Sequence, residues 1–205
     1  MSKANHGMLL IDDAHGFGVL GNQGRGSLEQ HGFSPTGDVL MMATLGKAFG
    51  GYGAFVAGDE IFIEHLIQTA RTYIYTTALP PMLAASSLEA LRIVQDGALQ
   101  AKLSQNISHF KAIASEQKLS LMPSSTAIQP IMVGSNELAS SISKALYDSG
   151  FYVSAIRPPT VPKNTARLRV TLSASHSFDQ IDALLACLSK QVKTFAPILS
   201  GPHHD

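Results

Sequence analysis

Met8-Leu9-Leu10-Ile11 is an unbroken apolar run that passes directly into Asp12-Asp13-Ala14-His15-Gly16. A short run of this kind, closed by polar and small residues, reads as a fully buried strand. Such a strand needs sheet neighbours and covering helices, which commits the chain to an α/β architecture. No hairpin or strand–helix–strand partner precedes the run, so the chain is expected to begin inside a domain.

The rest of the pattern suits that architecture. Val-Leu-Met-Met-Ala within 38–44 and Gly-Ala-Phe-Val-Ala at 53–57 read as two more strands, separated by a Gly-rich turn. Asp59 is placed to cap a helix reaching Arg71, with Phe62, Leu66 and Ala70 at helical spacing. Residues 72–81 read as an irregular linker, and Pro81 opens a helix that stops at Gly97. A further helix is expected over 98–118. Strands at 128–133, 151–156 and 166–172 then alternate with helices at 137–149 and 178–193. This predicts two domains: a remainder of a larger one over 1–97 and a small α/β one over 98–195. The tail 196–205 is expected to be disordered.

Composition narrows the function classes. Fifteen basic residues balance fifteen acidic ones, which gives no electrostatic footprint for nucleic acid or an anionic membrane. No apolar run approaches the ~20 residues of a membrane helix, and the first residues lack a signal peptide, so a cytoplasmic address is expected. Cys187 is the one cysteine. Its leucine-rich surroundings predict a buried, inert thiol.

Two segments carry chemistry. Asp12 to Gly16 follow a strand directly, where open α/β sheets place ligand-binding groups, although Asp and Gly are also ordinary turn residues. One Asp-x-x-His pair supplies too few ligands for a metal, and no metal is expected. The second segment is Thr44-Leu45-Gly46-Lys47-Ala48-Phe49-Gly50-Gly51-Tyr52-Gly53. A lysine at the end of a buried strand is unusual. Desolvation there would favour the neutral, nucleophilic amine that forms Schiff bases, and the glycines would let a flat cofactor approach the backbone. A phosphate-gripping loop competes, but its full spacing is absent. A solvated turn lysine remains an equal alternative. A carboxylate, a Schiff-base lysine and a neighbouring hydroxyl together are what a pyridoxal-phosphate site requires.

Leu10-Ile-Asp-Asp-Ala-His-Gly-Phe-Gly-Val-Leu-Gly21, Gly24-Arg-Gly26, Thr44-Leu-Gly-Lys-Ala-Phe-Gly50 and Ile74-Tyr-Thr-Thr-Ala-Leu-Pro-Pro81 resemble the α-oxoamine synthases. The resemblance runs from about residue 8 to about residue 190. It implies the type I fold of pyridoxal 5'-phosphate enzymes, with an incomplete large domain and a small C-terminal one. Asp12 would pair with the ring nitrogen, His15 would contact the ring hydroxyl and Ala14 would pack under the ring. Thr44 would bond the phosphate and Lys47 would hold the cofactor. Thr76 would reach the phosphate in the neighbouring subunit of a homodimer. Arg157 would clamp the amino-acid carboxylate, and Thr160 would touch substrate.

Within that family, Ala127-Ile-Gln-Pro-Ile131, Ala155-Ile-Arg-Pro-Pro-Thr-Val-Pro162 and Ala166-Arg-Leu-Arg-Val-Thr-Leu172 resemble one branch most. Its members condense L-alanine with a pimeloyl thioester, of coenzyme A or a carrier protein, with loss of carbon dioxide in biotin biosynthesis. A glycine-using sister of the glycine C-acetyltransferase type is the alternative. The family's long N-terminal half has no counterpart in these residues. The chain by itself is therefore expected to be inactive, either as a partner of a separate N-terminal polypeptide or as a split or decayed fragment.

Overall fold

The computed structural model describes residues 7–34 and 37–195, and its chain divides into two compact units at Gln100/Ala101. The expected tail at 196–205, with His203 and His204, lies outside the described residues, as does His6.

The first unit is built on a three-stranded sheet in the order β1-β2-β3, with β1 at Leu9–Asp12, β2 at Val39–Thr44 and β3 at Ala54–Ala57. β1 and β2 are parallel, Leu9 opposite Val39 and Asp12 opposite Met42. Parallel neighbours cannot be joined by a tight turn. Residues 13–38 make the crossover, which carries a single helical turn, α1 (Ser27–Gln30), that the sequence reading did not anticipate. β3 returns antiparallel, Met41 opposite Ala57 and Thr44 opposite Ala54.

Helices follow in the expected order. α2 (Glu60–Thr69) is capped by Asp59, whose Oδ1 accepts from Ile61 N at 3.1 Å. α3 (Arg71–Ile74) occupies part of the segment expected to be irregular, because Tyr73 and Ile74 N–H groups find the Ala70 carbonyl at 2.8 and 3.0 Å. α4 (Pro81–Asp96) starts on its proline and ends at Gly97.

One expectation is overturned here. Met8, Leu9 and Leu10 are 55%, 41% and 63% exposed, so the first run is not a buried strand among the described residues. Among the described residues β1 is the edge of its sheet, with a ladder partner on one side.

The second unit holds its own core. α5 (Ala98–Glu116) is followed by β4 (Ile128–Gly134), α6 (Asn136–Asp148), β5 (Ser154–Ile156), β6 (Ala166–Thr171) and α7 (Phe178–Phe195). The strands form an antiparallel sheet in the order β4-β6-β5. Burial alternates along β6 at Ala166, Leu168 and Val170, and Leu168 and Val170 join a core shared with Phe110, Ile142, Leu146, Leu185 and Leu188. Buried Asn106 is matched, its Nδ2 donating to the carbonyls of Ser173 and His176 at 2.8 and 3.0 Å, whereas Gln117 Oε1 is shielded with no partner among the described residues. Ser135 caps α6 by accepting from Leu138 N at 3.1 Å. The backbone N–H of Glu137 and the Ser135 hydroxyl hold the Glu137 carboxyl below the usual carboxylate range. Cys187 is half-buried against this core rather than fully enclosed, because its position on α7 borders the buried stripe.

Leu185 has no exposed surface. Leu185→Ala should therefore destabilise the second unit by about 2–5 kcal/mol, read from the urea midpoint of its unfolding.

Candidate active site

Parallel pairing delivers the carboxyl ends of β1 and β2 to the same edge of the sheet, which is where such sheets bind ligands. Asp12 ends β1, and Ala14 and His15 follow it. Thr44 ends β2, and Lys47 lies three residues further along. The in-register pair Asp12 and Met42 shares a face, and Thr44, two residues on, shares it too. Five of the expected cofactor-site residues thus converge on one sheet edge: Asp12, Ala14, His15, Thr44 and Lys47.

Aromatic packing joins the two loops. Phe17 stacks on Phe49 with centroids 4.9 Å apart and planes inclined by 8°, and it meets Phe55 of β3 edge-on at 5.1 Å. Phe49 lies two residues after Lys47, so this stack couples the His15 loop to the lysine loop. Ala14 is buried, whereas Asp12 and His15 are exposed. Asp12 Oδ1 accepts from Ala14 N at 3.1 Å.

The lysine loop is a compact turn. Gly50 N donates to the Lys47 carbonyl at 3.0 Å, and Gly51 N and Leu45 N extend the pairing to Leu45 O and Gly53 O at 2.8 and 2.9 Å. Gly50 takes φ 59, a conformation costly for any residue with a Cβ, so the turn itself requires this glycine. Lys47 is exposed, as are Gly46 and Ala48, so the expected desolvation is not supplied by the described residues. The reason is the position of the loop beyond the sheet edge, outside the aromatic packing that buries Phe49.

Thr44 is the informative polar group. Its Oγ1 is shielded from solvent yet has no hydrogen-bond partner among the described residues. A buried hydroxyl without a partner costs about 1–3 kcal/mol and points to a group that the site is shaped to receive. A phosphate oxygen accepting from this hydroxyl fits that vacancy in its bonding.

The other expected site residues lie elsewhere in the chain. Thr76 is exposed between α3 and α4, its N–H on the Tyr73 carbonyl at 3.2 Å. Arg157 and Thr160 belong to the second unit. Arg157 is exposed at the end of β5, where Nη1 donates to Ser140 Oγ at 3.0 Å, and Thr160 N closes a turn onto the Arg157 carbonyl at 3.0 Å.

One residue was overlooked in the sequence. Asp13 is 3% exposed and accepts from Ser27 N at 2.8 Å and Ser27 Oγ at 2.5 Å. Two adjacent aspartates of a turn look alike in sequence; only the spacing to Gly26-Ser27 distinguishes them.

Comparison with known proteins bears on the family and the fold. The family model described as aminotransferase class I and II matches residues 1–188. The 8-amino-7-oxononanoate synthase of Hydrogenovibrio crunogenus is 52% identical over 93% of this chain and 48% of its own length. That of Marinobacter nauticus is 51% identical over 92% of this chain and 48% of its own. The chain thus spans about half the length of the curated relatives it matches. The solved 8-amino-7-oxononanoate synthase of Francisella tularensis superposes with a TM-score of 0.82 at 38% identity, over 92% of this chain and 56% of that one. Sphingomonas wittichii serine palmitoyltransferase gives 0.87 at 28% identity, over 96% and 50%. The expected fold class is therefore the observed one.

Thr44→Val keeps the side-chain shape and removes the unpartnered hydroxyl. The ligand-free chain should become about 1–2 kcal/mol more stable in a denaturant titration. An equal loss would mean that the hydroxyl is bonded after all.

Proposed function

We propose that this chain, which belongs to the aminotransferase class I and II family, supplies the lysine-bearing part of a pyridoxal 5'-phosphate-dependent α-oxoamine synthase. The reaction is the condensation of L-alanine with a pimeloyl thioester, of coenzyme A or a carrier protein. Carbon dioxide is lost and 8-amino-7-oxononanoate is formed. The observation that carries this reading is the convergence of Asp12, Lys47 and the unpartnered Thr44 hydroxyl on one sheet edge. The relatives' shared name, 8-amino-7-oxononanoate synthase, supports this product over that of a glycine-using sister.

When bound, the cofactor supplies an electron sink for the carbanion formed at the amino acid's α-carbon. The residues of this chain prepare and use that sink. Asp12 places a negative charge opposite the ring nitrogen and so keeps its proton in place. Thr44 donates to the phosphate, Ala14 offers an apolar surface to the ring, and His15 bonds the ring hydroxyl. Lys47 would hold the cofactor, and its free amine would serve as the base that takes the α-proton of alanine. Arg157 binds the alanine carboxylate, for which its planar fork suits better than an ammonium. Thr160 completes that contact. Thr76 serves the phosphate of a neighbouring subunit, which makes the working form a homodimer in the cytoplasm.

The test joins this chain in frame to the N-terminal half of the Hydrogenovibrio crunogenus relative and adds cofactor. Borohydride should then fix the cofactor on the peptide containing Lys47; label on Lys102 or Lys111 would sink the assignment. Lys47→Ala should lower alanine-dependent release of coenzyme A by at least ~10²–10⁴-fold. Arg157→Lys should weaken alanine binding by about 1.5–3 kcal/mol, seen as a raised KM for alanine with that for the acyl donor unchanged.

A further inference from the structure

Asp13 and the glycines of Gly24-Arg25-Gly26 have no part in the function proposed above. We infer that Asp13 is the positioning residue of this site: its buried carboxylate clamps the crossover loop and thereby fixes Asp12 and His15 at the sheet edge. The functional consequence rests on the reading of Asp12 as the cofactor's partner; the clamp itself does not.

The clamp has two halves. Through its backbone, Asp13 is tied to β2 and to its own turn. Its N–H donates to the Met42 carbonyl at 2.8 Å, and its carbonyl accepts from Gly16 N and Phe17 N at 3.0 and 2.9 Å. Through its side chain it is tied to a residue fourteen positions along, accepting from Ser27 N on Oδ2 and from Ser27 Oγ on Oδ1. Charge-assisted bonds of this length to a buried carboxylate are the strong kind.

The glycines follow from the same carboxylate. A Cβ on Gly26 would overlap Asp13 Oδ2, and one on Gly16 would overlap Oδ1. Gly26 also takes φ 88. Backbone must therefore approach the carboxylate closely from both sides, and neither position tolerates a side chain. The 3.1 Å bond from Ala14 N to Asp12 Oδ1 spans the clamped residue, so the orientation of the Asp12 carboxylate depends on Asp13 staying in place. Asparagine at 13 keeps one acceptor oxygen for Ser27 N and must donate to Ser27 Oγ, so both bonds lose the charge of the carboxylate.

Amide hydrogen exchange on the full chain, without cofactor, reads the clamp directly. In Asp13→Asn the amides of Ala14, Gly16, Phe17 and Ser27 should exchange about 10–100-fold faster, the scale expected for a lost buried charge-assisted bond. Those of Ala43 and Val94 should hold. Ser27→Ala should give a smaller acceleration at the same positions, and Ser27→Thr, which keeps the hydroxyl, should behave as the parent. In the joined protein, Asp13→Asn should weaken pyridoxal 5'-phosphate binding about tenfold, while Ser27→Thr leaves it unchanged. Uniform acceleration throughout the first unit would make Asp13 an ordinary stability residue and overturn the inference. Unchanged exchange at Ala14 to Phe17 would do the same. If Asp13→Asn fails to fold, the Ser27→Ala and Ser27→Thr pair decides alone. Local acceleration with cofactor binding unaffected by Asp12→Asn would uphold the clamp and refute the assigned role of Asp12. Weakened binding in Asp12→Asn with no effect in Asp13→Asn or Ser27→Ala would reject the clamp and keep that role.

Discussion

The parallel ladder between β1 and β2 is the constraint on which the first unit depends. Parallel pairing brings two carboxyl ends to one edge, so groups separated by more than thirty positions come into one place. It also forces a long crossover, and a crossover is useful to a site only when it is held still. Here the holding is done by a buried carboxylate at the start of the loop and by a stack of two phenylalanines beside it. Both act immediately next to the residues assigned to chemistry.

The two units differ in how they use apolar side chains. In the second, Phe110, Leu146, Leu168 and Leu185 are wholly buried around one antiparallel sheet, and the inner amide of Asn106 is matched. In the first, Leu10, Val56, Tyr73, Tyr75 and Met82 are 63%, 40%, 61%, 78% and 74% exposed. This exposure sits in the unit that also carries Asp12, Thr44 and Lys47.

Thr44 ties the energetics to the chemistry. A hydroxyl buried without a partner lowers stability, and natural proteins retain such a group where a ligand repays the loss. Its place at the end of β2, on the face shared with Asp12, puts the groups proposed to meet the phosphate and the ring on one surface of the sheet.

The sequence by itself determined the kinds of element, their order and the segments that carry function. Those properties are local: an apolar run, a cap such as Asp59, a helix-opening Pro81 or the Lys47 motif is written within a few adjacent residues. Tertiary structure decided what depends on partners. It made β1 an exposed edge although Met8 to Ile11 read as buried, because burial belongs to the neighbours a strand acquires and not to its own composition. It turned part of 72–81 into α3 through the Ala70 carbonyl. Above all, it separated Asp12 from Asp13. Adjacent aspartates are equivalent in composition, but Asp12 ends β1 exposed whereas Asp13 lies just past it and is buried. One therefore faces the open site, while the other is enclosed by Gly16, Gly26 and Ser27, whose approach no local pattern encodes.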